Sequence, residues 1–118
     1  MTQPLNVLIV EDEPLIAMMM EDFIDMLGHN LVGSVDCVAD ALAQVETGGF
    51  DVAILDVHLR DGVCWPVADA LAAKGVPFLI ATGGHVDPPP PAHADAPTLP
   101  KPFTMDRVAA ALEALSLG

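Results

Sequence analysis

Four short apolar runs, three of them followed by an apolar stripe at helical spacing, constrain this chain more than any other feature. The first, Leu5-Asn6-Val7-Leu8-Ile9-Val10, is nearly continuous, the pattern of a strand buried on both faces of a parallel sheet. It stops at Glu11-Asp12-Glu13. Pro14 then suits the first turn of a helix, and Ile16, Met19, Met20, Phe23, Ile24 and Leu27 recur at helical spacing until Gly28 can terminate it. The unit repeats: Leu31 to Val35 reads as a strand, and Val38, Leu42 and Val45 as a helix stripe ending at Gly48-Gly49. Val52 to Leu55 is a buried strand and Pro66 to Lys74 a helix; Gly75-Val76-Pro77 leads into a fourth strand, Phe78-Leu79-Ile80-Ala81. Thr104 can cap a last helix whose Val108, Ala111, Leu112 and Leu115 share one face.

Strands alternating with helices in units of about 20 to 30 residues imply right-handed βαβ crossovers, so the fold class is α/β, with a parallel sheet covered on both faces. One stretch breaks the rhythm. Between Gly83 and Pro97 stand four consecutive prolines, Pro88 to Pro91, which no helix interior accommodates, so a loop with room for one short turn is expected where a fourth helix would belong. The 118 residues make one domain, residues 1–118, and a composition that is 53% hydrophobic can fill its core. Met18-Met19-Met20 and Trp65 read mainly as packing residues. Cys37 and Cys64 lack metal-binding spacing and read as buried or partly buried thiols.

A formal net charge of −13, from 17 acids against 4 Lys and Arg, repels phosphate backbones and anionic lipid, which argues against direct nucleic-acid or membrane partners. The N-terminus has no basic leader, and no apolar run is long enough to cross a bilayer, so a cytoplasmic location is expected.

Ligands of open parallel sheets bind beyond the carboxyl ends of the strands. Those ends carry Glu11 and Asp12 after the first strand, Asp56 at the end of the third, Thr82 and Gly83 after the fourth, and Lys101-Pro102 before the last helix. Three crowded carboxylates stay protonated or hold a cation, and hard oxygen donors with open coordination positions suit Mg²⁺. Beside such an ion a carboxylate can attack phosphorus, while a lysine and a hydroxyl hold the remaining phosphoryl oxygens. Acids at strand ends also serve simply as helix-start residues, the reading adopted for Glu13.

Four segments, Val7-Leu8-Ile9-Val10-Glu11-Asp12-Glu13-Pro14, Ala53-Ile54-Leu55-Asp56-Val57-His58-Leu59, Ala81-Thr82-Gly83 and Leu99-Pro100-Lys101-Pro102-Phe103, resemble the receiver domains of response regulators in order and spacing, over essentially the whole chain. The resemblance implies a doubly wound five-stranded sheet of order 2-1-3-4-5. It implies that Asp56 is the phosphoacceptor, and that Glu11 and Asp12 join Asp56 in holding Mg²⁺, directly or through water. The backbone carbonyl of His58 completes that set, Thr82 supplies the hydroxyl that follows the phosphoryl group, and Lys101, cis-bonded to Pro102, pairs with it. The His58 side chain, two residues past the acceptor, is placed to influence how long the phosphoryl group survives; His58 and His85 otherwise read as solvent-facing loop histidines.

Two departures stand out. The family's switch aromatic, three residues before the lysine, is here Thr98, which has no ring to bury. The stretch Pro77-Phe78-Leu79-Ile80-Ala81-Thr82-Gly83-Gly84-His85 resembles a variant group named for a Phe-Ala-Thr-Gly-containing motif, with Ile80 in place of its Phe, and in that group the fourth helix is reduced.

The expected function is that of a single-domain response regulator without an output domain. A sensor histidine kinase supplies the phosphoryl group, the domain catalyses its own loading and unloading without being an enzyme on other substrates, and output passes to a downstream protein or ends in a phosphate sink. The alternatives are a non-phosphorylated binding module and an aspartyl phosphatase; the latter needs an acid two residues past the nucleophile, where His58 stands.

Overall fold

The computed structural model describes residues 4–82, 91–93, 96–100 and 103–117. In chain order these form β1 (Asn6–Val10), α1 (Pro14–Met26), β2 (Asn30–Val35), α2 (Val38–Thr47), β3 (Val52–Asp56), β4 (His58–Leu59), β5 (Gly62–Val63), α3 (Trp65–Ala73), β6 (Phe78–Thr82), a 3-10 turn (Pro91–His93), β7 (Thr98–Pro100) and α4 (Met105–Leu117). The main sheet is parallel throughout, with order β2-β1-β3-β6-β7. Counting only its own strands, that is 2-1-3-4-5, the doubly wound order expected from the resemblance.

The continuous apolar runs are explained by two cores, one on each face of the sheet. Successive residues of a strand point to opposite faces, so Leu8, Val10, Ala53, Leu55 and Ile80 pack under α2 and α3, while Val7, Ile9, Val52, Ile54, Leu79 and Ala81 pack under α1 and α4. The second core receives Met20 and Ile24 from α1 and Val108 and Leu112 from α4. The Met18 to Met20 run divides accordingly, with Met20 buried, Met19 half-buried and Met18 exposed. In α2 the core-facing stripe is half-buried Val38 with buried Ala41 and Val45, at i, i+3 and i+7, and Leu42 lies one position round the helix, exposed at the rim.

The helix ends follow local chemistry. At the end of α1, Gly28 adopts φ +82°; its N–H donates to the carbonyl of Asp25, and that of His29 to the carbonyl of Ile24 (each 3.0 Å). This is the paired terminator that favours glycine at its left-handed position. The start of α4 is closed by Thr104, whose Oγ1 accepts from the Arg107 N–H at 3.3 Å.

The start of α2 is closed from a distance. Asp61, in the turn of the small antiparallel β4–β5 hairpin, accepts from the N–H groups of Val38 (2.6 Å) and Ala39 (3.2 Å), while Cys37 Sγ accepts from that of Asp40 (3.5 Å). The neighbouring Arg60 reaches Asp36 at 3.2 Å. The hairpin was not foreseen from the sequence; its strands are two residues each, too short to show a period.

Between β6 and β7 the described residues contain the Pro91–His93 turn and no α-helix, in keeping with the four prolines. Both cysteines are buried and unbridged.

Two outcomes follow. Ile24→Ala, which empties a fully buried position between α1 and the sheet, should lower the unfolding free energy by about 2–5 kcal/mol in urea titrations. The N–H donors of Val38 and Ala39 hold the Asp61 carboxyl below its ordinary value of 3.8. The stabilisation therefore exists in full above that ordinary value and is lost as pH falls through the lower, folded one. Thermal scans should show wild type melting above Asp61→Ala at neutral pH and the difference vanishing in strong acid.

Candidate functional site

Strand register assembles the site. β1 and β3 are neighbours, with Val10 opposite Leu55, so the next residue on each, Glu11 and Asp56, emerges beside the other at the carboxyl edge. On the far side of β3, Asp56 is opposite Ala81, and Thr82 follows; Thr82 is in turn opposite Pro100, the residue before Lys101 in the sequence. The Thr82 side chain, Lys101 and Pro102 lie outside the described residues.

Glu11, Asp12 and Asp56 come together, each offering a carboxylate oxygen within 4.8 Å of the others. Glu11 is only 6% exposed, and Asp12 and Asp56 are half-buried. Glu11 is tied into the framework at both ends: its N–H donates to the carbonyl of Val35 (2.9 Å), and its Oε2 accepts from the N–H of Glu13 (3.1 Å). Asp56 Oδ1 accepts from the N–H of Val57 at 3.1 Å. Below the acids the walls are apolar, formed by Ile9, Ile16, Met20, Ile54, Ala81 and Phe103. Low-polarity walls strengthen both the repulsion among the acids and their attraction for a cation. All three donors are hard oxygens, which fits a small divalent ion and not a soft one.

A second acidic group adjoins the first. Asp36, Cys37 and Asp40 offer ligand atoms within 4.8 Å of one another, and Asp36 and Asp40 share with Glu11 and Asp12 a cleft of about 350 Å³. These acids were missed in the sequence, although the signal was present: Val35 is opposite Val10, so Asp36 follows β2 as Glu11 follows β1. His58 opens β4; its side chain is exposed and stands outside the acidic group. Thr98, at the position of the missing aromatic, is exposed on the edge strand.

Cys64 is buried at the start of α3, its N–H donating to the carbonyl of Val57 at 2.8 Å. Burial, reinforced by the charge of Asp56, pushes its thiol up to about 12. It is a packing group and not a nucleophile.

Among known families, the model described as the response regulator receiver domain matches residues 7–113. The chain belongs to this family. Among solved structures, the receiver is similar to SdrG from Sphingomonas melonis Fr1, at 57% identity and TM-score 0.85 over 98% of this chain and 99% of that one. It is also similar to the BeF3-activated conformation of SdrG from Pseudomonas melonis Fr1, at 59% identity and TM-score 0.79 over 93% and 94% of the two chains. A curated relative, the phyllosphere-induced regulator PhyR of Methylorubrum extorquens, is 35% identical over 80 residues. That match takes in 65% of the receiver and 30% of PhyR, so the receiver spans less than a third of that protein.

The receiver carries a further buried polar residue that sequence reasoning passed over. His93, within the Pro-rich connection, is 6% exposed. Its partners stand at least 15 residues away on other elements, and a connection without periodicity gives no signal for them.

Native receiver at pH 8 should label at Cys64 with a thiol reagent orders of magnitude more slowly than the urea-unfolded chain, because only the thiolate reacts and the fold suppresses it. Stopped-flow labelling of Cys37→Ser protein in both states checks this.

Proposed function

We propose that this receiver is a phosphoryl-accepting switch: Asp56 takes a phosphoryl group from a sensor histidine kinase in a Mg²⁺-dependent reaction. The observation that carries the reading is the meeting of Glu11, Asp12 and Asp56 within 4.8 Å at the edge of the sheet where strand order reverses. The similarity to SdrG, for which a BeF3-activated conformation is described, supports it further, since beryllium trifluoride bound to a carboxylate has the tetrahedral shape of a phosphoryl group.

Glu11, Asp12 and Asp56 would hold the ion, with the backbone carbonyl of His58 as a further oxygen donor. When bound, Mg²⁺ neutralises charge on the transferring phosphoryl oxygens. The chain supplies the rest. An Asp56 oxygen attacks phosphorus in line, forming a new O–P bond as the N–P bond of the donor's phosphohistidine breaks and the imidazole leaves with its electron pair. Lys101 would pair with the transferred group and Thr82 would donate its hydroxyl to it. The apolar floor of Ile9, Ile54 and Phe103 limits the access of bulk water from below.

Output passes to another protein or ends in a phosphate sink. The net charge of −13 favours a protein target over nucleic acid. No helix among the described residues is long and apolar enough to cross a membrane. The cytoplasm, where kinase and phosphodonor meet, is the proposed location.

Intact-protein mass after incubation with Mg²⁺ and acetyl phosphate tests the reading. Wild type should gain one phosphoryl mass, and neither Asp56→Asn nor Mg²⁺-free wild type should. Mg²⁺ alone should raise the melting temperature of wild type and not that of Asp12→Asn/Asp56→Asn protein. Absence of both effects would leave the fold as a non-phosphorylated binding module.

A further inference from the structure

Among the described residues that join β6 to β7, His93 is the most deeply buried. Its ring lies against Trp65 in a parallel stack, with centroids 5.9 Å apart and planes at 14°, and meets the edge of Phe78 at 5.7 Å and 72°. Its Nε2 is 2.6 Å from Asp69 Oδ1, and that carboxylate is 68% exposed. Stacking and a short, directional bond to a carboxylate thus dock the Pro91–His93 turn onto α3 and the first residue of β6.

Four residues of sequence separate the docked turn from β7. The His93 carbonyl accepts from the Ala96 N–H at 3.1 Å, the Pro97 carbonyl accepts from the Ile80 N–H at 2.9 Å, and the β6–β7 ladder begins at once with Thr98 opposite Ile80. β7 is an edge strand of three residues paired on one side only, a short ladder to resist sliding. Beyond its own buried Leu99 it is held by what flanks it. Phe103 is buried at the exit, in the wall beneath Asp56, and His93 is buried at the entrance. Between these two anchors lie the register that sets Pro100 beside Thr82 and, next in sequence, Lys101.

From this arrangement we infer that His93 is a positioning residue for phosphoryl transfer: docked on Trp65, Phe78 and Asp69, it fixes the entry of β7 and so the placement of the strand end that serves Asp56. The inference rests on Asp56 as the phosphoacceptor. It goes beyond that reading in giving a role to a residue that contacts α3 and the first residue of β6 and stands outside the acidic group. The proposed carboxylate ligands Glu11 and Asp12 follow β1 and Asp56 ends β3, whereas the bond and ring contacts of His93 described above are to α3 and β6, so its loss slows loading without weakening the ion site. A merely structural role would lower the melting temperature and leave the loading rate of the folded protein unchanged.

The experiment compares wild type, His93→Ala, His93→Gln and Asp69→Ala as full chains. Loading is followed by mass across a series of acetyl phosphate concentrations, Mg²⁺ affinity by calorimetry, and the docking itself by fluorescence. The chain has one tryptophan and no tyrosine, so its emission reports on Trp65 alone. His93→Ala should change Trp65 emission and lower the maximal loading rate about ten-fold, a loss of the size that small misplacements bring. Mg²⁺ affinity should hold. His93→Gln, which keeps a donor toward Asp69, should recover part of the rate. Asp69→Ala removes an exposed carboxylate and keeps the test open should His93→Ala fail to fold; it too should slow loading. Wild-type loading rates in both alanine variants would overturn the inference while leaving Asp56 in place, and a matching fall in Mg²⁺ affinity would overturn it in favour of general loosening. A wild-type protein that gains no mass would overturn the Asp56 reading and this inference with it.

Discussion

Everything at the functional edge depends on the parallel pairing of β1, β3 and β6. In a parallel sheet all carboxyl ends face the same way, so residues that follow different strands are delivered to one rim without any loop having to carry them there. The Val10–Leu55 and Asp56–Ala81 pairs set the spacing within that rim, because a slip of one residue would turn the acids toward a helix-covered face. The two cores hold these strands from behind: every second side chain of each central strand belongs to one core and its neighbours to the other.

This is why so much of the fold was legible in the sequence. Strands buried on both faces read as near-continuous apolar runs, and the helices over them need one apolar stripe each; both signals are strong and differ in period. Leu5 to Val10 and the stripe from Ile16 to Leu27 carry them most clearly, and Gly28 and Thr104 mark helix ends by mechanisms that act within a few residues. The acids were legible for the same reason, since a carboxylate directly after an apolar run falls on the rim whenever the sheet is parallel.

What was not legible is held by contacts too short in sequence to show a period, or too long to show a motif. The β4–β5 hairpin has two residues per strand, and β7 has three, one of them proline. Leu42 misled because helical spacing alone leaves a residue at the border of the stripe undecided between core and rim. Asp36 and Asp40 entered the site only through the pairing of β1 with β2. The His93 pocket draws on Trp65, Asp69 and Phe78, which share no local pattern with a run of prolines.

The capping of α2 by Asp61 joins two parts of the chain that neither core connects so directly. The carboxylate that satisfies the first amides of the helix stands 23 residues downstream of Val38, beyond β3. During synthesis, therefore, the amides of Val38 and Ala39 are left to water until β3 and the hairpin have followed α2 out of the ribosome. Because Asp61 lies downstream of β3, a chain in which this cap has closed has already been synthesised past the strand that bears Asp56.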